Sequence, residues 1–342
     1  MKNKLVLGLI IAIMISTTPA AALAWGSATH LYLAEKLGNK DGTTDQQEMY
    51  GATLIDVFNL MFGYDYQPYL WYQTHYEFMK LADAAEPDEN ALAYGFVSHN
   101  EAWGADYTAH IDALTIEGNE GYVIIKSAEL ASVLKDAYVI PALEYILTIL
   151  GYDLSDPDIQ DLIDYAAPIV SLMLADSGVE SAIDYLVSQN EDKKVGFRMY
   201  NSAQKRGDFV PNLLCQAYAG GLASEAGISI ETASGIIYAT ELAFRAELMN
   251  YGNTLTQNNV LESMAEQGAE LAIDILQEEY GIEIPPELYN VAKYVATGLM
   301  TITLSEAIEV VKEDYAEELE ATQKYVKKQL NAHKIKTYRR DD

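Results

Sequence analysis

The first third of this chain holds four of its five histidines, His30, His75, His99 and His110, and Asp56 and Asp106 are among the aspartates that lie between them. Imidazole and carboxylate groups are the protein ligands of zinc in many hydrolytic sites. Asp56 also follows an apolar run, residues 52–55, where a carboxylate is costly to bury unless it is paired or bound to a metal. The residue types and their clustering therefore predict a metal centre.

The N-terminus has the features of a secretory signal peptide that ends at Ala24. Lys2 and Lys4 precede an apolar stretch, residues 5–15, and Ala22-Leu23-Ala24 is a small-x-small cleavage site. Cleavage there would give Trp25 a free α-amine, whose unperturbed pKa is about 7.7–8.0, and a neutral amine can bind zinc. We therefore expect a secreted or periplasmic protein in which processing creates a metal ligand.

Composition restricts the classes of partner. The chain has 342 residues and a formal net charge of −29, and such acidity argues against binding long nucleic acids, which requires neutralising phosphates with lysine and arginine. Its single cysteine, Cys215, can form no internal disulfide. No second apolar run of membrane-spanning length is evident, so we expect a soluble or peripheral mature protein without a transmembrane segment.

Apolar residues recur at intervals of three and four along most of the chain, and no alternating strand pattern is evident, so the sequence predicts an all-α fold. Breakers that include Pro68 and Pro211 separate the helical segments. The expected helices are residues 29–38, 46–62, 74–85, 89–111, 122–150, 156–188, 212–226, 229–251, 257–280, 285–312 and 313–332.

Four regions follow from these patterns. They are the signal peptide 1–24, a helical core 25–135 that carries the histidines, an additional helical region 136–323 packed on that core, and a basic tail 324–342. The tail reverses the charge of an acidic chain. It is either a solvated end or a contact for anionic lipid headgroups.

Five motifs surround the candidate ligands: Trp25-Gly26-x-x-Thr29-His30, Gly51-Ala52-Thr53-Leu54-Ile55-Asp56, Thr74-His75-Tyr76, Tyr94-Gly95-Phe96-Val97-Ser98-His99 and Asp106-Tyr107-Thr108-Ala109-His110. In this order they resemble the zinc-dependent phospholipase C family, including the N-terminal catalytic domain of glycosylphosphatidylinositol-specific phospholipase D. The fungal single-strand nucleases share the Trp-Gly…His opening. The resemblance covers roughly residues 25–135 and implies a multi-helix bundle of the phospholipase C and nuclease type.

The resemblance also implies a cluster of two or three zinc ions. The amine and carbonyl of Trp25 would hold one ion together with His30. A second ion would be held by His75 and His99, and Asp106 would bridge the two.

The remaining family roles fall on three further residues. Asp56 corresponds to a carboxylate at the metals that orients or deprotonates the attacking water, and His110 would bind the third ion. The family completes that third site with a histidine and a glutamate four residues apart. Here Ile125 and Glu129 occupy those positions, so Glu129 would serve without the histidine. Asp112, Glu241 or Glu247 could assist it, or only two ions bind.

The spacing of the last motif also departs from the family, which uses His-x3-Asp-x3-His. This chain has His99-x6-Asp106-x3-His110. Seven residues return to the same helix face, but at 1.5 Å per residue they would separate His99 and Asp106 by about 10 Å. We therefore expect the extra residues to loop out near Gly104, or to form a bulge.

The function that follows from the resemblance is hydrolysis of a phospholipid phosphodiester by metal-activated water. Tyrosines and a tryptophan in residues 64–72 could enclose a quaternary ammonium group or lie at a lipid interface, or could simply pack under a loop. Two alternatives remain open: a nuclease or nucleotidase that uses the same metals, and a secreted helical binding protein with a degenerate, non-catalytic metal site.

Overall fold

A computed structural model describes residues 25–38, 43–61, 64–278 and 286–335. In this part of the chain there are 14 helices and no strand, so the predicted all-α class is confirmed. The predicted signal peptide and the last residues of the basic tail lie outside the described residues. The helices are α1 Ser27–Leu37, α2 Thr43–Leu54, α3 Gln67–His75, α4 Met79–Ala84, α5 Asn90–His99, α6 Tyr122–Leu134, α7 Ile140–Ile149, α8 Pro157–Leu186, α9 Val195–Gln204, α10 Val210–Ala226, α11 Ile230–Thr254, α12 Val260–Glu278, α13 Pro286–Val311 and α14 Tyr315–Ala332.

Several helix boundaries differ from those expected from the sequence. Pro68 and Pro211, treated as breaks, lie in the first turns of α3 and α10. Proline suits this position because the first amide groups of a helix have no helical partner and its fixed φ is already helical. As a result, the prediction that a helix begins at residue 74 was wrong, since His75 ends α3.

The chain divides into two compact units. The site unit comprises residues 25–122, 184–258 and 314–335, and the second unit comprises residues 123–183 and 259–313. The boundaries expected from the sequence were instead residues 135 and 323. The chain passes between the units at residues 183–184, within the continuous helix α8, where no composition change marks the transition.

Two helices are long and apolar enough to cross a membrane by length and composition. One is Pro157–Glu191, which comprises α8 and the π-helical turn that continues it, and the other is Tyr289–Val311, which is most of α13. In these two helices, 56% and 39% of the most apolar window is buried inside the protein. The sequence predicted no membrane-spanning segment after the predicted signal peptide. By hydropathy and length both helices qualify, although the core helix of a water-exposed protein passes the same test.

Within the site unit, α2 and α5 pack backbone against backbone. A Cβ atom on Gly51 would overlap the carbonyl oxygen of Leu92, and one on Gly95 would overlap that of Glu48. The two glycines therefore set how closely these helices approach. The contact matters for the candidate site because Asp56 follows α2 and His99 is the last residue of α5.

Replacing Gly95 with alanine should force α2 and α5 apart. We expect G95A to lower the free energy of unfolding by about 1–3 kcal/mol, the usual cost of overpacking. The measurement is urea denaturation followed by circular dichroism.

Gly235→Ala is the matched control, because Gly235 is exposed in α11 and a Cβ atom added there would meet no described atom within 4 Å. That variant should gain up to about 1 kcal/mol from helix propensity. If G95A is no less stable than G235A, the role assigned to the crossing is contradicted.

Candidate metal centre

The candidate ligands of the site unit lie in helices and in the short turns that follow helices, and their side chains meet in one place. His75 and His99 are the last residues of α3 and α5, and Asp56 lies in the 3-10 turn Ile55–Leu60 that follows α2. His30 lies in α1, and Asp106 directly precedes the π-helical turn Tyr107–Ile111, which contains His110. All of these side chains are buried except that of His110, which is 16% exposed.

The carboxylate of Asp106 lies between the imidazoles. Its Oδ1 is 3.0 Å from Nε2 of His30, and its Oδ2 is 2.7 Å from Nε2 of His99 and 3.8 Å from Nε2 of His75. Asp56 faces two of the same rings, with Oδ1 3.3 Å from Nε2 of His75 and Oδ2 3.7 Å from Nε2 of His99. Each oxygen of Asp106 therefore serves a different set of imidazoles, as expected of a carboxylate that bridges two cations.

Backbone carbonyls fix which nitrogen of two imidazoles points into the centre. Nδ1 of His99 is 2.6 Å from the carbonyl oxygen of Ala52, and Nδ1 of His75 is 3.0 Å from that of Trp71. A carbonyl oxygen can only accept, so each Nδ1 carries the hydrogen and each neutral ring presents the lone pair of Nε2. Those lone pairs face carboxylate oxygens, an arrangement that repels unless a cation or proton lies between them.

Burial determines the charges of these groups. It lowers the pKa of His30 and of His99, which keeps both rings neutral and their lone pairs available, and neighbouring imidazoles lower that of His30 further. Burial, reinforced by Glu101, raises the pKa of Asp106 well above its usual range. Nε2 of both histidines and both oxygens of Asp106 have no hydrogen-bond partner among the described residues. Bound cations would give each of these atoms a partner.

Three groups of side chains place their ligand atoms close enough to hold a metal ion. They are His30, His99 and Asp106; Asp56, His75 and His99; and Glu101, Asp106 and His110. Nitrogen and carboxylate oxygen donors in groups of three or four fit zinc. The prediction that buried histidine and acidic residues could hold metal is confirmed at this level.

The expected loop-out is present between His99 and Asp106. Helix α5 ends at His99, and the side-chain oxygen of Asn100 accepts hydrogen bonds from the backbone N–H groups of residues 102, 103 and 104. The chain therefore turns back instead of continuing along the helix axis. On a straight helix the two residues would stand about 10 Å apart along the axis, whereas here Oδ2 of Asp106 lies 2.7 Å from Nε2 of His99.

The loop-out also brings in a residue that the sequence-based prediction missed. Glu101 is 4% exposed, and its Oε1 is 2.6 Å from Nδ1 of His110. The available signal was the spacing His99-x6-Asp106, which leaves room for a further polar side chain between the two candidate ligands.

Trp25 packs against the segment that carries Asp106, whereas Glu129 is absent from the three groups of candidate ligands. The indole Nε1 of buried Trp25 donates to the carbonyl of Ala105 at 3.0 Å and lies 3.2 Å from Oγ1 of Thr108, so its ring packs against the segment that carries Asp106. Glu129 is exposed in the second unit and belongs to none of the three groups found in the described residues.

The other acidic residues considered for the third ion are also absent from these groups. Asp112 is exposed and Glu247 is half-buried in α11. Glu241 is buried but forms an ion pair with Arg206 and accepts a hydrogen bond from Tyr50. Its carboxylate therefore serves the packing of the site unit.

Asp184 holds the N-terminus of the helix that carries His30. Its carboxylate accepts hydrogen bonds from the backbone N–H groups of Ala28 at 3.0 Å and Thr29 at 2.7 Å, from the Thr29 hydroxyl and from the Tyr251 hydroxyl. Burial raises the pKa of Asp184 to about 6, and these four donors oppose the shift. A Cβ atom on Gly26 would overlap the carboxylate, which explains the glycine after Trp25.

Comparisons of the chain with protein-family models, curated proteins and solved structures give no match.

Asp184→Asn should destabilise the metal-free protein by about 2 kcal/mol, because an amide nitrogen would face donors and the charge at the helix N-terminus would be lost. Urea denaturation with a chelator present measures this without a contribution from metal. Asp164→Asn, an exposed position on the same helix α8, should change stability by less than about 0.5 kcal/mol. Equal effects of the two substitutions would contradict the capping role.

Proposed function

We propose that this chain is an exported, zinc-dependent phosphoric-ester hydrolase of the phospholipase C type. The observation that carries the proposal is the buried Asp106 carboxylate, whose two oxygens face two different sets of imidazole nitrogens without hydrogen bonds from the described residues. Two zinc ions would satisfy these atoms. The motifs that resemble the zinc-dependent phospholipase C family supply the same residues.

Each ion would have its own set of ligands. His30 and Oδ1 of Asp106 would hold the first, joined by the Trp25 amine after signal-peptide cleavage. His75, His99 and Oδ2 of Asp106 would hold the second, with Asp56 beside it. Zinc in such a centre supplies an activated water and neutralises charge on phosphoryl oxygens.

Asp56 is the side chain best placed to orient that water or to accept its proton. Nδ2 of Asn59 donates to its Oδ1 at 2.8 Å and fixes the carboxylate plane, while Oδ2 lies on the side of His99. The neutral rings of His30 and His99 remain metal ligands and do not compete for the proton, since burial lowers the pKa of both.

A row of aromatic rings supports an amphiphilic substrate. Trp71 stacks on His75 with ring centroids 4.8 Å apart, Tyr76 meets the edge of Trp71 at 5.8 Å, and Tyr72 stacks on Tyr76 at 5.2 Å. Tyr72 and Tyr76 are 48% and 40% exposed. Rings that lead from a metal ligand to solvent suit an alkylated headgroup or a peripheral contact with a lipid surface.

The test measures metal content and phosphodiesterase activity together. We expect at least two zinc ions per mature chain, release of diacylglycerol from phospholipid vesicles, and loss of activity on chelation with recovery on adding zinc. His75→Ala should lose zinc and reduce turnover by at least about 100-fold, the effect of losing a metal-bound or charge-stabilising group.

His333→Phe is the matched control, because it removes the one histidine outside the candidate ligands and keeps a ring that can stack on Trp103; it should retain both properties. Protein without zinc would contradict the proposal. Bound zinc with release of nucleotides alone would favour the nuclease alternative, and bound zinc without phosphoester hydrolysis would favour a binding protein.

A second prediction concerns processing. The exported protein should begin at Trp25, and a form with one extra glycine before Trp25 should bind one of its ions at least tenfold more weakly, since the amine is displaced. N-terminal sequencing and competition with a chromophoric chelator measure these properties. An exported chain that begins elsewhere, or equal affinities of both forms, would contradict the ligand role of the amine.

A further inference from the structure

The loop-out carries a carboxylate whose burial is unusual for a turn. The side chain of Glu101 is 3% exposed, and its backbone N–H donates to the carbonyl of His75 at 3.2 Å. One oxygen, Oε1, is 2.6 Å from Nδ1 of His110. The other, Oε2, is buried without a hydrogen-bond partner in the described part of the chain. Burying a carboxylate oxygen without a hydrogen bond is costly, so Oε2 needs a donor or a cation.

A second buried carboxylate lies close to Glu101. The ligand atoms of Glu101, Asp106 and His110 all lie within 4.8 Å of one another. Two carboxylates at such separations repel each other, and one imidazole cannot neutralise both. A divalent cation would offset the repulsion and satisfy Oε2 at the same time.

Packing holds this turn in one position. Trp103, two residues after Glu101, stacks on His333 at the end of α14 with centroids 4.7 Å apart and meets the edge of Phe78 at 5.4 Å. Together with the three hydrogen bonds accepted by Asn100, these contacts place Glu101 rigidly, as a ligand must be placed.

We propose that Glu101 is a direct ligand of a third zinc ion, which it binds together with His110 and with Asp106 of the two-ion centre. The inference rests on the proposed function, since it adds an ion to the same centre. Glu101 would supply from the loop-out the carboxylate that the family pattern places near residue 129, and would do so without the missing histidine. The longer spacing between His99 and Asp106 and the absence of a histidine at position 125 would then have a common explanation.

The test counts zinc ions per chain by elemental analysis after exhaustive equilibration with a weak chelator, using the exported protein that begins at Trp25. The wild-type chain should hold three ions and Glu101→Gln two. Glutamine keeps an oxygen that can accept from His110 but is a poor zinc ligand, so a residue that merely orients His110 would leave the count at three. His110→Ala should also hold two ions, and Glu117→Gln, at an exposed position, should hold three.

The outcomes separate the two proposals. Two ions in both the wild type and E101Q, or three in both, would overturn the ligand role of Glu101 while leaving the two-ion centre intact. A wild type without zinc would overturn the proposed function itself. Because substitution of a buried residue can prevent folding, circular dichroism in the presence of chelator accompanies each count. If E101Q does not fold, H110A decides: a count of three in that variant would overturn the third site.

Discussion

The structure depends on a carboxylate that is buried among imidazole lone pairs. Asp106 has no exposed surface, and the described residues give its oxygens no hydrogen bond. An isolated ionised carboxylate in a protein interior costs several kcal/mol, and the fold has to hold the facing groups together against this cost. A metal that binds only the folded state offsets it: at a free concentration of 100 times its Kd, one ion adds about 2.7 kcal/mol to stability.

The scaffold meets this constraint through hydrogen bonds that hold the helices carrying the candidate ligands. The glycine crossing of α2 and α5 brings the carbonyl of Ala52 within 2.6 Å of Nδ1 of His99, so one hydrogen bond both joins the helices and selects the tautomer. At the N-terminus of α1, close to His30, the Asp184 carboxylate accepts hydrogen bonds from backbone N–H groups that have no carbonyl partner within the helix. Helix ends and helix contacts therefore position His30, His75 and His99, while short turns position Asp56 and Asp106.

Helical periodicity predicted the all-α class. The grouping of six candidate ligands was predicted from the clustering of histidines and from the resemblance to the zinc-dependent phospholipase C family, and the loop-out from the departure from that family's spacing. The first-turn prolines Pro68 and Pro211 were misinterpreted, since a proline that begins a helix and one that ends it look alike without knowledge of the packing. The capping role of Asp184 could not be predicted, because its carboxylate accepts from a residue 156 positions away in the sequence. Glu101 was missed because its role arises only when the turn folds back.

The path of the chain after His99 explains why spacing alone is a weak guide to a metal site. A continuous helix would keep His99 and Asp106 on one face but too far apart to share an ion. The turn at residues 100–104 removes that separation, and the π-helical turn that follows brings His110 within 2.6 Å of Glu101. The same local turn therefore brings His99 and Asp106 together and adds the carboxylate of Glu101 to the group. A metal site needs converging donor atoms, and a turn that folds back can supply them where a continuous helix cannot.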